Sequence, residues 1–600
     1  MQALILAAGM GKRLKDLTSD KTKCMVRVNG VTLIERMLGQ LEKLDLERIV
    51  IVVGYKGEYL KSFIDSLGIR TPIVFVNNDI YDRTNNIYSL ALAKEYLLEK
   101  DTLLFESDLI FEDDVLRLLL EDPRDTLALV DKYESWMNGT VVKLSDADEI
   151  TAFIPGNKFV FEDIPQYYKT VNIYKFSKKF SQNQYVPFLE SYLKALGNNE
   201  YYEQVLRVLT LLDNSWIRAK RIEGKKWYEI DDIQDLDIAA SIFTESNDRL
   251  DKLQSRYGGY WRYPKLLDFC YLVNPYFPPR RMLSEIKANA DKLIMNYPSG
   301  ARVNALLAAK NFSVREEQIV VGNGAAELIK SIMENQAGNI GFIRPTFEEY
   351  PNRRRDSSDV VFEPANDDFS YNAEDLISYF GNKDITMLVL INPDNPTGNY
   401  IEKKEILRLA AWCQEKDIKF LLDESFVDFA VEKDSSLIQE NILSQYDNLL
   451  VVKSISKSYG VPGLRLGVLA SGDTKLIRQV KSDISIWNIN SFAEFYMQIE
   501  EKYKKDYSEA LELFKDTRNL FIQELEKISW IRVIPSQANY VMCELSGRYT
   551  AKEIATKLLS EYNILIKDLS EKLKGDRQFI RIAIRTREEN AQLIKALGSL

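Results

Sequence analysis

The chain opens on a continuous apolar run, Met1–Ala8, the pattern of a strand buried on both faces. Further on, the apolar stretch Arg48–Gly54 is followed by Glu58–Leu67, where apolar residues recur at helical spacing. This alternation predicts a parallel sheet with helices on its faces. Leu103–Phe105 leads into Asp108, Leu127–Val130 into Asp131, and Phe420–Leu422 into Asp423. Each is an apolar strand running out into a carboxylate, and ligands of open α/β sheets bind beyond the carboxyl ends of the strands. Ile238–Phe243 completes a helical pattern, after which Thr244–Gln254 is polar and charged. The change predicts one domain over 1–245, a short linker over 246–258 and a second domain over 259–600. No repeat relates the two halves.

Composition narrows the chemistry. A length of 600 residues suggests about three or four domains. The net charge of −10 is spread along the chain, so no basic face predicts binding to nucleic acid or an anionic membrane. No apolar run reaches the roughly 18 residues of a membrane span, and the opening strand pattern argues against a signal peptide. Cys24, Cys270, Cys413 and Cys543 are far apart with no CxxC pair, which predicts free thiols in the cytoplasm and no zinc knuckle. Histidine is absent altogether. That excludes His-based triads and His-ligated metals, leaving Lys, Tyr, carboxylates and water to move protons and oxygen ligands to hold a metal.

Gly9-Met10-Gly11-Lys12-Arg13 follows the opening strand directly. A glycine turn there lets backbone N–H groups approach a phosphate or a base. The longer run from Leu4 to Leu14, with Leu17-Thr18, Thr22-Lys23-Cys24-Met25 and Asn29-Gly30-Val31-Thr32-Leu33-Ile34, resembles the signature of the sugar-phosphate and choline-phosphate nucleotidyltransferases. Asp16 and Thr22 stand where that family usually has prolines, but the cations Arg13 and Lys23 are kept. The resemblance implies that Arg13 and Lys23 are catalytic, since positioned cations stabilise charge developing on a transferring phosphate. It also implies contacts to CTP from Leu6, Ala7, Ala8, Gly9, Gly11, Lys12, Asn86 and Ser107. Mg2+ would sit on Asp108 and on Asp231, with Glu229 close behind as a second carboxylate or as a substrate contact. Tyr81–Leu90, with its Asn85-Asn86, resembles the choline-phosphate branch. There, acidic and aromatic residues cradle a cationic head group, which assigns Asp131, Tyr133 and Trp136 to the substrate. Ordinary packing of Trp136 under a loop is the alternative.

In the second half, Ser454-Ile455-Ser456-Lys457-Ser458-Tyr459-Gly460 sets one lysine among small residues, and Arg465 and Gly467 follow. A lysine that bonds a carbonyl cofactor needs little bulk around its stem, and an arginine with serines can clamp a phosphate. This stretch resembles the fold-type I, class I/II aminotransferases, which use pyridoxal 5'-phosphate (PLP). Asn274-Pro275-Tyr276-Phe277-Pro278-Pro279 and Asn296–Gly300 resemble the histidinol-phosphate aminotransferase group, in which the tyrosine corresponding to Tyr297 reaches the cofactor phosphate of a neighbouring subunit. A homodimer through this domain is implied. The resemblance further assigns Lys457 as the catalytic lysine and Ala325, Ala326, Ser454, Ser456 and Arg465 to the cofactor phosphate. Phe347 would stack on its ring, Asn395 would bond its phenolic oxygen, and Asp423 would pair with its pyridine nitrogen. Phe426 stands where the family often has a tyrosine. In Phe579–Arg585, Arg581 would grip a substrate carboxylate, and Arg585 would add charge for a phosphonate or phosphate.

The resemblances cover the whole chain and imply an α/β fold class: a Rossmann-like nucleotidyltransferase with a mixed, mostly parallel sheet, then a fold-type I PLP-dependent transferase. Fusion implies consecutive steps with a shared intermediate. The arrangement resembles the fused phosphonate cytidylyltransferases and 2-aminoethylphosphonate transaminases. That implies amination of phosphonoacetaldehyde by an amino-acid donor and transfer of CMP from CTP to the resulting small amine. Pro345–Tyr350 and Asp423–Phe429 also resemble the threonine-phosphate decarboxylase branch. That implies decarboxylation of a phosphoamino acid to an amine such as phosphoethanolamine instead.

Overall fold

The computed structural model describes residues 1–212, 217–222, 224–244, 246–263, 265–354, 359–547, 549–573 and 575–600. The chain divides into two compact units, Met1–Pro264 and Lys265–Leu600, fewer than length alone suggests. Among the described residues no helix is long and apolar enough to cross a membrane.

The first unit is built on a nine-stranded mixed sheet. Its centre is Gln2–Ala7, parallel to Ile49–Val53 on one side and to Thr102–Glu106 on the other. Every residue of the central strand is buried. Ile5 and Ala7 face one apolar layer with Ile51 and Val53, while Leu4 and Leu6 face the other with Val50 and Val52. A strand sandwiched between two layers must be apolar on both sides, hence the unbroken run in the sequence. Tyr167–Phe176 adds antiparallel to Thr102–Glu106 and makes the sheet mixed. A short antiparallel pair, Trp227–Glu229 against Leu109–Phe111, sets Glu229 opposite Leu109, and Ile230 N–H donates to the Asp108 carbonyl at 3.0 Å. This pair brings two carboxylate-bearing segments, more than a hundred residues apart in the chain, to one place.

Where the sequence predicts a tether over 246–258, the structure has the helix Ser246–Gln254, within the first unit. Leu250 and Leu253, three residues apart and so on one face, are each 1% exposed. The Tyr260 hydroxyl closes on the Leu253 carbonyl at 2.8 Å. Two leucines make too narrow a stripe to stand out among seven polar neighbours, but they are enough to anchor one helix face.

The second unit has a seven-stranded sheet in the order Ile319–Asn323, Leu466–Ser471, Leu449–Ser454, Lys419–Asp423, Met387–Ile391, Ile340–Ile343, Val360–Phe362. Only Leu466–Ser471 runs antiparallel to its neighbours. Ser454 and Asp423 therefore end adjacent parallel strands, with Asn392 following the next one. A smaller four-stranded antiparallel sheet includes Gln578–Ala583, the strand that bears Arg581.

Leu253→Ala should lower the unfolding free energy of the first unit by about 2–5 kcal/mol, the cost of a cavity in a packed core. Chemical denaturation followed by tryptophan fluorescence checks this. A change within about 0.5 kcal/mol, as at an exposed site, would mean the helix carries no packed face.

Candidate active sites

A cavity of about 720 Å³ opens beyond the end of the central strand of the first unit. Of the residues predicted to contact the nucleotide, Leu6, Ala8, Gly9, Gly11, Lys12, Arg13, Lys23, Asn86 and Ser107 line it. Ala7 does not. The strand alternates, and the Ala7 side chain points into the core beside Val53. Gly11 adopts φ 62°, and an added Cβ would lie 3.0 Å from the Lys23 Cβ, so the turn needs glycine on both counts.

Lys23 is the hub of the charged groups. Its Nζ donates to Asp108 Oδ2 at 2.5 Å and to Asp231 Oδ1 at 2.8 Å, and Arg13 Nη1 lies 3.2 Å from Asp231 Oδ2. Burial alone would lower the lysine pKa, but Asp108 and Asp231 outweigh it and hold the ammonium charged. Asp231 is likewise pulled below the usual carboxylate range: burial pushes it up, but Lys23 and then Arg13 prevail. Glu229 accepts from Asn172 Nδ2 at 3.2 Å and pairs with Lys169 Nζ at 3.3 Å. Oxygens of Asp108, Glu229 and Asp231 all lie within 4.8 Å of one another. Asp108 Oδ1 is buried with no hydrogen-bond partner. An oxygen-only trio with an orphaned carboxylate atom suits a hard divalent cation such as Mg2+.

The residues expected at the cationic head group are elsewhere. Asp131, Tyr133 and Trp136 do not line the cavity. Asp131 Oδ2 accepts from the Trp227 indole at 2.8 Å. Trp136 stacks on Tyr228 with centroids 4.0 Å apart and leans on Trp227, and Tyr133 packs on Phe159. Trp136 is packed within an aromatic cluster in which a carboxylate pins the Trp227 indole, as in the packing alternative. In their stead the cavity presents Glu106, Lys169, Asn172 and Glu203, none of which the motifs single out. Lys169 is 2% exposed, on the strand Tyr167–Phe176, whose Thr170, Asn172 and Lys175 keep one buried charge from standing out in the sequence.

In the second unit Lys457 is half-buried, and among the described residues its amine has no partner. Burial, then Arg581 and Arg465, lower it to about 8 against the opposing pull of Asp423. Asp423 Oδ1 accepts from Ser425 N–H at 2.8 Å and Oδ2 from the Tyr350 hydroxyl at 2.7 Å. Burial pushes this carboxyl up, with the Ser425 and Tyr350 hydrogen bonds opposing. A cationic ring nitrogen beside it would favour the ionised form. Tyr350 stands inside a motif read from the sequence, but its contact to Asp423 was not legible there.

Around Lys457 the backbone is stripped of side chains. Gly324 has φ 73° just before the helix Ala325–Asn335, and a Cβ there would sit 2.5 Å from an Arg465 nitrogen. A Cβ on Gly467 would sit 2.3 Å from the Ala325 nitrogen. Ala325, Ala326 and Arg465 thus meet at one helix start. Ser454 ends the neighbouring strand, and Ser456 Oγ is buried without a partner. The free N–H groups, the guanidinium and the orphaned hydroxyl fit a phosphate, and with the unpartnered lysine they fit PLP. Arg581 donates to Asn395 Oδ1 at 2.8 Å and to the Cys270 carbonyl at 3.0 Å, while its Nε is buried and unpartnered.

Four further residues of the sequence reading are placed as follows. Phe347 is 41% exposed and meets Tyr350 edge-on. Tyr297 is 79% exposed and stacks on Trp487; no interaction among the described residues joins it to Lys457. Arg585 pairs with Glu589 at 2.7 Å on its own helix start, which takes up the charge expected to face an anion. Phe426 is buried edge-on against Tyr540, where a hydroxyl would need a partner.

Comparison with known proteins agrees with this division. The family model for aminotransferases of class I and II matches residues 264–597, and that for the MobA-like NTP transferase domain matches residues 3–161. A CMP-5'-(3-aminopropyl)phosphonate synthase of Streptomyces rubellomurinus is 31% identical over 100% of this chain and 95% of its own. An L-serine phosphate decarboxylase of Sulfurospirillum multivorans is 34% identical over 56% of this chain and 88% of its own. Among solved structures, a decarboxylase from Sulfurospirillum multivorans aligns with TM-score 0.51 at 31% identity, covering 56% of this chain and 96% of that one. The histidinol-phosphate aminotransferase of Clostridium acetobutylicum aligns with TM-score 0.50 at 27% identity, covering 56% and 98%. The chain belongs to the class I and II aminotransferases, PLP-dependent enzymes, and carries in front of that domain an NTP transferase domain of the MobA-like kind.

Proposed function

We propose that the second unit makes a small phosphonate amine and that the first unit joins CMP from CTP to it. The observation that carries this reading is the full-length match to an enzyme named for a CMP-aminoalkylphosphonate product. Both units occur there in one chain and in the same order, as expected for consecutive steps.

In the first unit the glycine turn and Lys12 receive the nucleotide phosphates. Arg13 and Lys23 stabilise charge as pyrophosphate leaves. Asp108 and Asp231, with Glu229 beside them, hold Mg2+, which when bound neutralises phosphate charge. In the second unit Ser454, Ser456, Arg465 and the N–H groups at Ala325 and Ala326 hold the phosphate of PLP. Asp423, kept in place by Tyr350, would pair with the ring nitrogen. PLP would supply an electron-accepting ring. Lys457 would hold the cofactor and move the proton at the amine-bearing carbon, for which an amine lowered to about 8 is suited. Arg581, with Nε free, holds the acid group of the substrate. We favour phosphonoacetaldehyde and an amino-acid donor as substrates, giving 2-aminoethylphosphonate, in a cytoplasmic homodimer through the second unit.

A second reading keeps the first unit unchanged. The 34% identity to an L-serine phosphate decarboxylase favours loss of CO2 from a phosphoamino acid. Incubating the PLP-loaded enzyme with phosphonoacetaldehyde plus amino donors, or with phosphoserine alone, and following products by phosphorus NMR separates the two.

Lys457→Ala should abolish the PLP reaction and leave nucleotidyl transfer within about twofold, because the two motif sets occupy separate units. Loss of both activities in a folded variant would contradict this. Asp108→Asn should lower cytidylyl transfer by about a hundredfold or more, since the metal carries much of the charge stabilisation. Near-normal turnover, measured by pyrophosphate release, would remove Asp108 from the metal site.

A further inference from the structure

The cavity of the first unit holds two carboxylates that neither the metal trio nor the phosphate-binding cations use. Glu106 ends the strand Thr102–Glu106, two residues before Asp108, and Glu203 begins the helix Glu203–Leu209. Both line the cavity. Glu203 is 6% exposed, and its Oε2 is buried with no hydrogen-bond partner. Glu106 accepts from Asn86 Nδ2 at 3.3 Å, and Asn86 Oδ1 accepts from Tyr202 N–H at 3.0 Å. One asparagine thus ties together the two elements that bear the carboxylates.

The buried cation of this region is already engaged. Lys169 pairs with Glu229 at 3.3 Å and donates to the Thr170 carbonyl at 2.9 Å. Among the described residues neither Glu106 nor Glu203 has an ion-pair partner. Burial pushes Glu203 up to about 7, with Glu229 adding to the effect and Lys169 opposing it. A buried carboxylate without a cation is costly, and a ligand cation relieves both the desolvation and the repulsion.

We propose that Glu106 and Glu203 form the subsite for the ammonium group of the acceptor and select a primary amine over a quaternary one. The inference rests on the reading of the first unit as a transferase acting on a small phosphonate amine. Glu106 stands two residues from Asp108, and this pair and the metal trio line one cavity, where a short acceptor carrying a phosphonate at one end and an ammonium at the other would meet both. A primary ammonium donates N–H bonds to both carboxylates, including the orphaned Oε2. A quaternary ammonium has no N–H and leaves that atom unsatisfied. The subsite also replaces the one that the sequence places at Asp131, Tyr133 and Trp136, whose polar groups are used in packing.

The test uses the full PLP-loaded chain with CTP and Mg2+ and three acceptors: 2-aminoethylphosphonate, ethylphosphonate, which lacks the amine, and phosphocholine. Glu203→Gln should lower kcat/KM for 2-aminoethylphosphonate by roughly tenfold or more, mostly through KM, and change ethylphosphonate by less than about twofold. Glu106→Gln should give the same pattern and serves if the first variant folds poorly, with CTP binding by calorimetry as the check on folding. In both variants the preference over phosphocholine should narrow. Equal losses for 2-aminoethylphosphonate and ethylphosphonate would overturn the subsite and leave the transferase reading standing. A wild-type enzyme that transfers CMP to none of the three acceptors would overturn both.

Discussion

Buried carboxylates at the ends of apolar strands are what both units are arranged around. Such a group is unfavourable in a low-dielectric interior unless a cation or hydrogen-bond donors meet it. In the first unit Lys23 meets two of them, Asp108 and Asp231, from a loop that the glycine turn places close by. Removing that lysine would leave like charges facing one another across the trio. In the second unit Asp423 is met by hydrogen bonds from Ser425 and Tyr350 and lies within the electrostatic reach of Lys457.

The two centres solve the problem differently, in keeping with their chemistry. The first concentrates negative charge and balances it with fixed cations, an arrangement suited to a divalent metal and a polyphosphate. The second keeps its lysine without a partner, lowered by burial and by two arginines. An amine held in that way is ready to react and to exchange protons. The absence of histidine is compatible with both, because oxygen ligands can hold a hard metal ion and a lysine can move a proton.

The two outlying acids of the first unit differ in how their charge is met. Asp131 has an indole donor and lies within an aromatic cluster, so its charge is accommodated. Glu203 has no such donor at Oε2 although it is more deeply buried. The difference between these two acids, rather than the number of acids in the region, distinguishes a packed structural group from one that awaits a ligand.

The sequence by itself determined the class of both folds, and most of the residues it marks for the nucleotide line the cavity of the first unit. The unbroken apolar run Met1–Ala8, the glycines at 9 and 11 and the small residues around Lys457 impose strong local requirements, and local requirements are visible along a chain. Arg13, Lys23, Asp108 and Asp231 meet as the motifs imply, because each follows a recognisable strand or turn. The helix Ser246–Gln254 was not legible, since two leucines among polar residues give too weak a period. The residues facing a substrate were not legible either. Asp131, Tyr133 and Trp136 had the right chemistry for a cationic head group, but whether a side chain faces a cavity or a core depends on what packs against it. Trp227 and Tyr228, about ninety residues away, decide that. Glu106 and Glu203 carry no motif and become neighbours only when a helix is laid beside a strand end through Asn86. Sequence periodicity records which face of an element is buried, whereas the pairing of distant carboxylates is a property of the tertiary packing alone.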